Sequence, residues 1–196
     1  MFQTIRTTLK PTCYHGRGKK PPFFEGWYYK LIDRSGNHRY AIIPGVYLAV
    51  DKQKSHAFIQ ILNGNSGQSS YHSFPLTDFS ASDREFDVRI GANRFTSGHL
   101  LLDIEDDGKK ISGDLHFNSL TPWPVTPISP GIMGWYTWAP FMECYHGIVS
   151  LDHPIRGSLR LDGEELDFSG GRGYSEKDWG RSFPTAWVWL QSNHFP

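Results

Sequence analysis

The strongest constraint in this chain is a side-chain rhythm of two. Trp27, Tyr29 and Leu31 alternate with Tyr28, Lys30 and Ile32, and turn residues then fill 33–37. The same beat returns where Phe58 and Gln60 oppose Ile59 and Ile61. Successive side chains of a strand point to opposite faces, whereas a helix needs apolar residues three and four apart. No segment sustains the helical spacing over three turns, so the sequence predicts a mainly β protein of antiparallel barrel or sandwich type.

Along the chain, strands are predicted over 26–32, then over 40–50 as two short strands hinged at Pro44 and Gly45, and over 56–62, 69–74, 86–90 and 100–104. An Asp106-Asp107-Gly108 turn leads to a strand over 111–117. Further strands follow at 143–151 and 155–161, then a turn at Asp162-Gly163 and a strand at 165–169. Residues 1–22 read as an irregular arm, because Pro11, Pro21 and Pro22 interrupt any regular element. The β-domain is expected over 23–196, with its last strand, 186–193, a candidate member of a second domain beyond Pro196. Between strands, 118–140 interleaves Pro122, Pro124, Pro127, Pro130 and Pro140 with Trp123, Trp135, Tyr136 and Trp138. So long an aromatic loop is either a lid over a site or a cap on one end of the sheet.

Charge narrows the partners. Lys plus Arg and Asp plus Glu are both 20, and the pI is near 7.1, so no basic field invites nucleic acid. Cys13 and Cys144 show neither CxxC nor Cys/His ligand spacing, so no disulfide framework and no metal are expected, in keeping with a reducing cytoplasm. The most apolar run, 40–50, is too short to span a bilayer, and a soluble protein with at most peripheral membrane contact for substrate access is expected. Aromatic residues make up 15% of the chain, including seven Trp and 13 Phe. Such an excess fills a core or lines a site for a hydrophobic small molecule.

Three neighbourhoods set ionisable groups among aromatic rings: Phe23 to Tyr29 around Glu25, Met142 to Gly147 around Glu143 and His146, and 170–193, GGRGYSEKDWGRSFPTAWVWLQSN. In the last, a turn-prone segment carrying Glu176, Lys177, Asp178 and Arg181 is expected to feed a strand bearing Trp187, Trp189 and Gln191. A carboxyl buried beside apolar rings is harder to ionise, so Glu25, Glu143 or Asp178 is a candidate general acid. Lys177 and Arg181 beside Asp178 favour its ionised form and an orienting role, and His146 is a candidate for proton transfer. Aromatic faces stabilise a developing cation. The candidate wall comprises Trp27, Tyr29, Trp135, Trp138, Trp179, Trp187 and Trp189. The competing reading of 170–193 is a charged hairpin loop with a solvated Asp178–Arg181 pair. GxSxG, Walker and HExxH motifs are missing, and the glycines at 170, 171 and 173 lack dinucleotide-binding spacing.

FFEGWYYKL at 23–31, MECYHGIVSLDHPIRGSL at 142–159 and LDFSGGRGYSEKDWGRSFPTAWVWLQSN at 166–193 together resemble the tocopherol cyclase family, with order and spacing kept. The resemblance implies a lipocalin-like β fold related to that of carotenoid hydratases. It also implies closure of a chroman ring from a prenylated benzoquinol, without metal or organic cofactor, in a family whose members usually continue into a second β-domain. On that reading Glu25 or Asp178 protonates the alkene, the tryptophans hold the cation and Arg181 orients the substrate. A non-catalytic isoprenoid carrier is the alternative, since such folds often only bind. A carbohydrate-active β-protein is a weaker one.

Overall fold

The structure is a computed structural model that describes residues 2–106, 109–161 and 163–193. Asp107, Gly108 and Asp162, expected in turns, lie outside the described residues, as do 194–196.

The strands are β1 (Phe23–Ile32), β2 (Arg39–Leu48), β3 (His56–Asn63), β4 (Ser69–Phe74), β5 (Phe79–Ala81), β6 (Asp87–Ile90), β7 (Asn93–Thr96), β8 (His99–Asp106), β9 (Lys109–Phe117), β10 (Cys144–Leu161), β11 (Glu164–Asp167) and β12 (Arg172–Gly180). They form one antiparallel sheet in the order β4-β3-β2-β1-β12-β10-β9-β8-β7-β6-β5, with β11 on β10. The expected mainly antiparallel, lipocalin-like class holds, but among the described residues the sheet is open, with β4 and β5 at its edges.

Several elements differ from the sequence reading, each for a local reason. The arm at 1–22 includes a short helix, α1 (Phe2–Thr8). Residues 40–50 are not hinged, because β2 is continuous. Its register against β1 passes Gly26↔Gly45 and resumes at Tyr29↔Ile42, so Pro44, which has no N–H to donate, leaves a gap in the ladder rather than a bend. The two strands expected over 143–161 are the single 18-residue β10, whose register against β12 shifts between Ile148, Ser150 and His153. Those irregularities turn the strand so that it hands the sheet from β12 to β9. Gly157, at φ 113°, permits the close approach there, since a Cβ would lie 2.1 Å from the Asp114 carbonyl oxygen.

Two corrections concern the 170–193 block. The charged segment is not a turn feeding a strand. It is itself β12, paired with β1 on one side and β10 on the other. Conversely, 186–193 forms no strand. After Gly180 the chain leaves the ladder and crosses one face of the sheet, held by side chains: Phe183 stacks on Phe24 at 4.7 Å, Trp189 meets Tyr28 edge-on at 5.5 Å, and Lys30 Nζ donates to Gln191 Oε1 at 2.6 Å.

The opposite, inner face carries the core. Trp27, Tyr29 and Leu31 of β1 pack with Ile42, Ile59, Phe95, Leu100 and Leu115. Tyr29 belongs wholly to this core: its ring lies within 6.2 Å of those of Phe86, Phe95 and Phe117, and its hydroxyl donates to Thr96 O at 2.7 Å.

Candidate functional site

Glu176, Lys177 and Asp178 are consecutive on β12, so their side chains alternate between faces. Cross-strand pairing then fixes their company. Lys177 lies opposite Trp27 and beside Gly147, while Glu25 lies opposite Trp179. Asp178 lies beside His146, and Glu176 lies opposite Tyr28. The sheet thereby sorts one charged tripeptide into two unlike sites, and Glu25 and Asp178, the two leading acid candidates, fall on opposite faces.

On the inner face, Glu25 and Lys177 are both fully buried and paired. The ammonium donates to Glu25 Oε1, to the Cys13 carbonyl and, at 3.0 Å, to His15 Nδ1. His15 Nε2 in turn donates to Thr7 O at 3.1 Å, and the His15 backbone N–H donates to Glu25 at 2.8 Å. With Nδ1 accepting and Nε2 donating, the ring is neutral, in keeping with a pKa lowered first by burial and then by the Lys177 charge. Burial alone would push the Glu25 carboxyl up, but Lys177 and His15 together pull it below its ordinary value. Burial likewise pulls Lys177 down, against Glu25. We assign the ionised pair, because all three ammonium donors are used and the Trp27 and Trp179 rings lie 5.0 and 4.8 Å from Nζ. Glu25 so placed is an ionised structural anchor. Next to it, a cavity of about 430 Å³ is lined by His15, Trp179, Tyr145, Thr137 and Trp138 among others.

On the outer face, Glu176 is 4% exposed. Tyr174 Oη donates to its Oε2, Trp189 Nε1 donates to the same oxygen at 3.1 Å, and His146 Nε2 lies 3.5 Å from it. His146 Nδ1 contacts Asp178 Oδ1 at 2.8 Å. Burial, with a contribution from Asp178, raises the Glu176 pKa against the opposing pull of Tyr174, His146 and Trp189. Burial opposes charge on His146, yet Asp178 and Glu176 outweigh it and the ring is raised above its ordinary value. Burial and the Glu176 charge push Tyr28 up to about 12. Glu176 and His146 are thus both shifted toward their protonated forms, beneath the Trp189 indole, which meets the Tyr28 and Tyr174 rings. His146, Glu176 and Asp178 also offer ligand atoms within 4.8 Å of one another.

The other sequence candidates lie apart. Glu143 and Arg181 are exposed and meet only through the backbone, Arg181 N donating to Glu143 O at 2.8 Å. Trp135 is exposed and stacks on Tyr136 at 4.1 Å. Trp138 lines the inner cavity with its indole N–H bonded to Pro127 O at 2.9 Å. Trp27 and Trp179 face inward, and Trp187 is exposed beside Phe183. Of the residues singled out from sequence, Asp178, His146 and Trp189 are brought together on the outer face, and Glu25, Trp27 and Trp179 around Lys177 on the inner one. Glu176, Tyr174, Tyr28, Lys177 and His15 were missed as site residues. A period of two across 172–180 would have put Glu176 on the same face as Asp178.

The family model for "Tocopherol cyclase-like" proteins matches residues 93–196. The chain is 40% identical over 232 residues to tocopherol cyclase, chloroplastic, of Zea mays, an alignment covering 93% of this chain and 48% of that protein. It is 26% identical over 231 residues to probable tocopherol cyclase, chloroplastic, of Oryza sativa subsp. japonica, covering 93% and 49%. The chain thus spans about half the length of these curated relatives. The crystal structure of CghA shares the fold at a TM-score of 0.50 and 12% identity, over 82% of this chain and 46% of that one. Among the described residues no helix is long and apolar enough to cross a membrane.

Proposed function

The chain belongs to the tocopherol cyclase-like family, and we propose that it takes part in acid-catalysed ring closure of a prenylated benzoquinol, with Glu176 as proton donor. The observation that carries this reading is the Glu176 carboxyl, buried among aromatic rings with Tyr174 and Trp189 both donating to Oε2 and the His146 ring 3.5 Å from the same oxygen. That leaves Oε1 as the oxygen that bears the proton. The carboxylate formed by proton transfer is already provided with hydrogen bonds on Oε2, so the charge left behind is stabilised without reorganisation.

In the proposed reaction Glu176 delivers a proton to the less substituted carbon of the prenyl alkene. The alkene electron pair forms the new C–H bond, and a tertiary cation remains. Tyr28, Tyr174 and Trp189 present ring faces to that charge. A lone pair of the neighbouring phenol oxygen closes the C–O bond; His146 passes its Nε2 proton to the Glu176 carboxylate and takes the phenolic proton in its place, which restores both groups. Reactant and product are isomers, so nothing is oxidised or reduced. Exposed Trp187, Val188 and Leu190 in the crossing segment supply an apolar surface beside the site for the prenyl tail.

The test is incubation with a phytylated dimethylbenzoquinol in heavy water, followed by mass spectrometry. A chromanol with one carbon-bound solvent deuteron is the expected product. Quenched tryptophan fluorescence without product would instead favour a carrier, and a deuterium-free chromanol would refute proton addition.

A further inference from the structure

Away from this cluster, β8 and β9 carry a second group of ligating side chains. His99 and His116 are directly opposite each other, and Asp114 lies two residues from His116 on the same face. Both imidazoles aim Nε2 at one carboxylate oxygen: His99 at 2.8 Å and His116 at 3.1 Å from Asp114 Oδ1. The rings stack with centroids 4.7 Å apart. On the reverse of the same strands, Leu100 and Leu115 are fully buried, which fixes both backbones beneath the group.

We propose that His99, Asp114 and His116 form a binding site for a borderline transition-metal ion, Zn²⁺ in the first instance, that bridges β8 and β9. Metal–nitrogen bonds of about 2.0–2.1 Å put neighbouring ligand atoms of a tetrahedron roughly 3.3–3.4 Å apart. The two N···O separations therefore need to open by about half an ångström or less, within side-chain rotation. Two imidazoles and one carboxylate suit Zn²⁺, Co²⁺, Ni²⁺ or Cu²⁺ over Mg²⁺ or Ca²⁺, which take oxygen ligands. Three protein ligands leave the remaining position to water. Arg156 is the neighbour of His116 on β10 and Ser158 that of Asp114. Arg156 is exposed, so its charge is screened by solvent. An ion here would tie two adjacent strands in the folded state only, and so raise the melting temperature by mass action.

The experiment is a calorimetric titration of the metal-free chain with ZnCl₂, with Co²⁺ absorption as a second probe and MgCl₂ as control. The wild-type chain is expected to bind one Zn²⁺ through this site, with a rise in Tm that Mg²⁺ does not produce. His99→Ala with His116→Ala should weaken that binding by more than the roughly 10–100-fold that loss of an outer partner costs a metal site. Circular dichroism checks that this variant folds, and Asp114→Asn provides an independent lesion. His146→Ala separates this site from the His146–Glu176–Asp178 group and should leave this Zn²⁺ bound. Zn²⁺ binding that survives the double substitution, or a wild-type chain with neither heat nor Tm shift, overturns the proposal.

Discussion

The two faces of β12 present the same ingredients, a carboxylate, a cation and a tryptophan, and reach opposite ends. Inside, Lys177 has committed every donor to Glu25, Cys13 and His15, and both charges are wholly buried. Outside, the cation is His146, whose charge depends on pH, and both it and Asp178 are more than a quarter exposed. A buried charge whose partner does not titrate near neutrality is fixed, so it shapes the fold. One whose partner does titrate has a proton to exchange, and that is the requirement for acid–base chemistry. The contrast separates Glu25 from Glu176 although each stands among aromatic rings.

Exchanging each carboxyl for its amide tests that separation most severely. Glu176→Gln keeps shape and removes the transferable proton, and is expected to lower turnover by about 10²–10⁴-fold while quinol binding persists. Glu25→Gln is expected to lower stability, with turnover per folded molecule retained. Product formation and fluorescence binding measured on both variants decide the matter, and the reverse pattern would assign chemistry to the inner face.

Removing the inner cation comes next. Lys177→Met leaves the Glu25 charge without its partner in a dry site, a loss expected to cost about 3–5 kcal/mol in urea unfolding. Adding Glu25→Gln to Lys177→Met should recover part of it, because the orphaned charge is then gone. A Lys177→Met cost below about 1 kcal/mol would mean that water reaches the pair and that the inner face is not the sealed anchor described.

Much of the fold was legible because alternation is a local property. β1, β3 and β9 follow from which residues are apolar at every second position. β5 and β7, of three and four residues, are too short for a period to show. Residues 186–193 misled for the converse reason. Their tryptophans alternate as in a strand, but Trp189 caps Glu176 and Tyr28 while Trp187 stays exposed, and no backbone ladder forms. The site was half legible. Asp178, His146 and Trp189 carried a visible signal of charge among aromatics, whereas the pairing of Glu25 carried none. No spacing links Glu25 to Lys177 across 152 residues, nor shows that the arm around Cys13 and His15 supplies the remaining acceptors. Glu176 was hidden by the turn-like glycines before it, and reading β12 as a strand is what exposes it.

The smallest effect, of order 0.2–1 kcal/mol for pairs as exposed as the one His146 makes with Asp178, distinguishes the faces by sign. His146 is raised above its ordinary 6.5 by the folded state, so folding favours its protonated form. That contribution is complete below pH 6.5 and is lost as pH rises through the raised value. Glu176, raised above 4.5, acts in the same direction, while Glu25, lowered below 4.5, acts in the other: its contribution is present above pH 4.5 and disappears as acid protonates it. Urea midpoints measured across pH should therefore decline toward alkali through the outer cluster and toward acid through the inner pair. His146→Gln should flatten the decline just above pH 6.5 and leave the acid side unchanged. If the decline just above pH 6.5 persists unchanged in His146→Gln, His146 is not the group that titrates there, and its part in returning the proton to Glu176 loses its foundation.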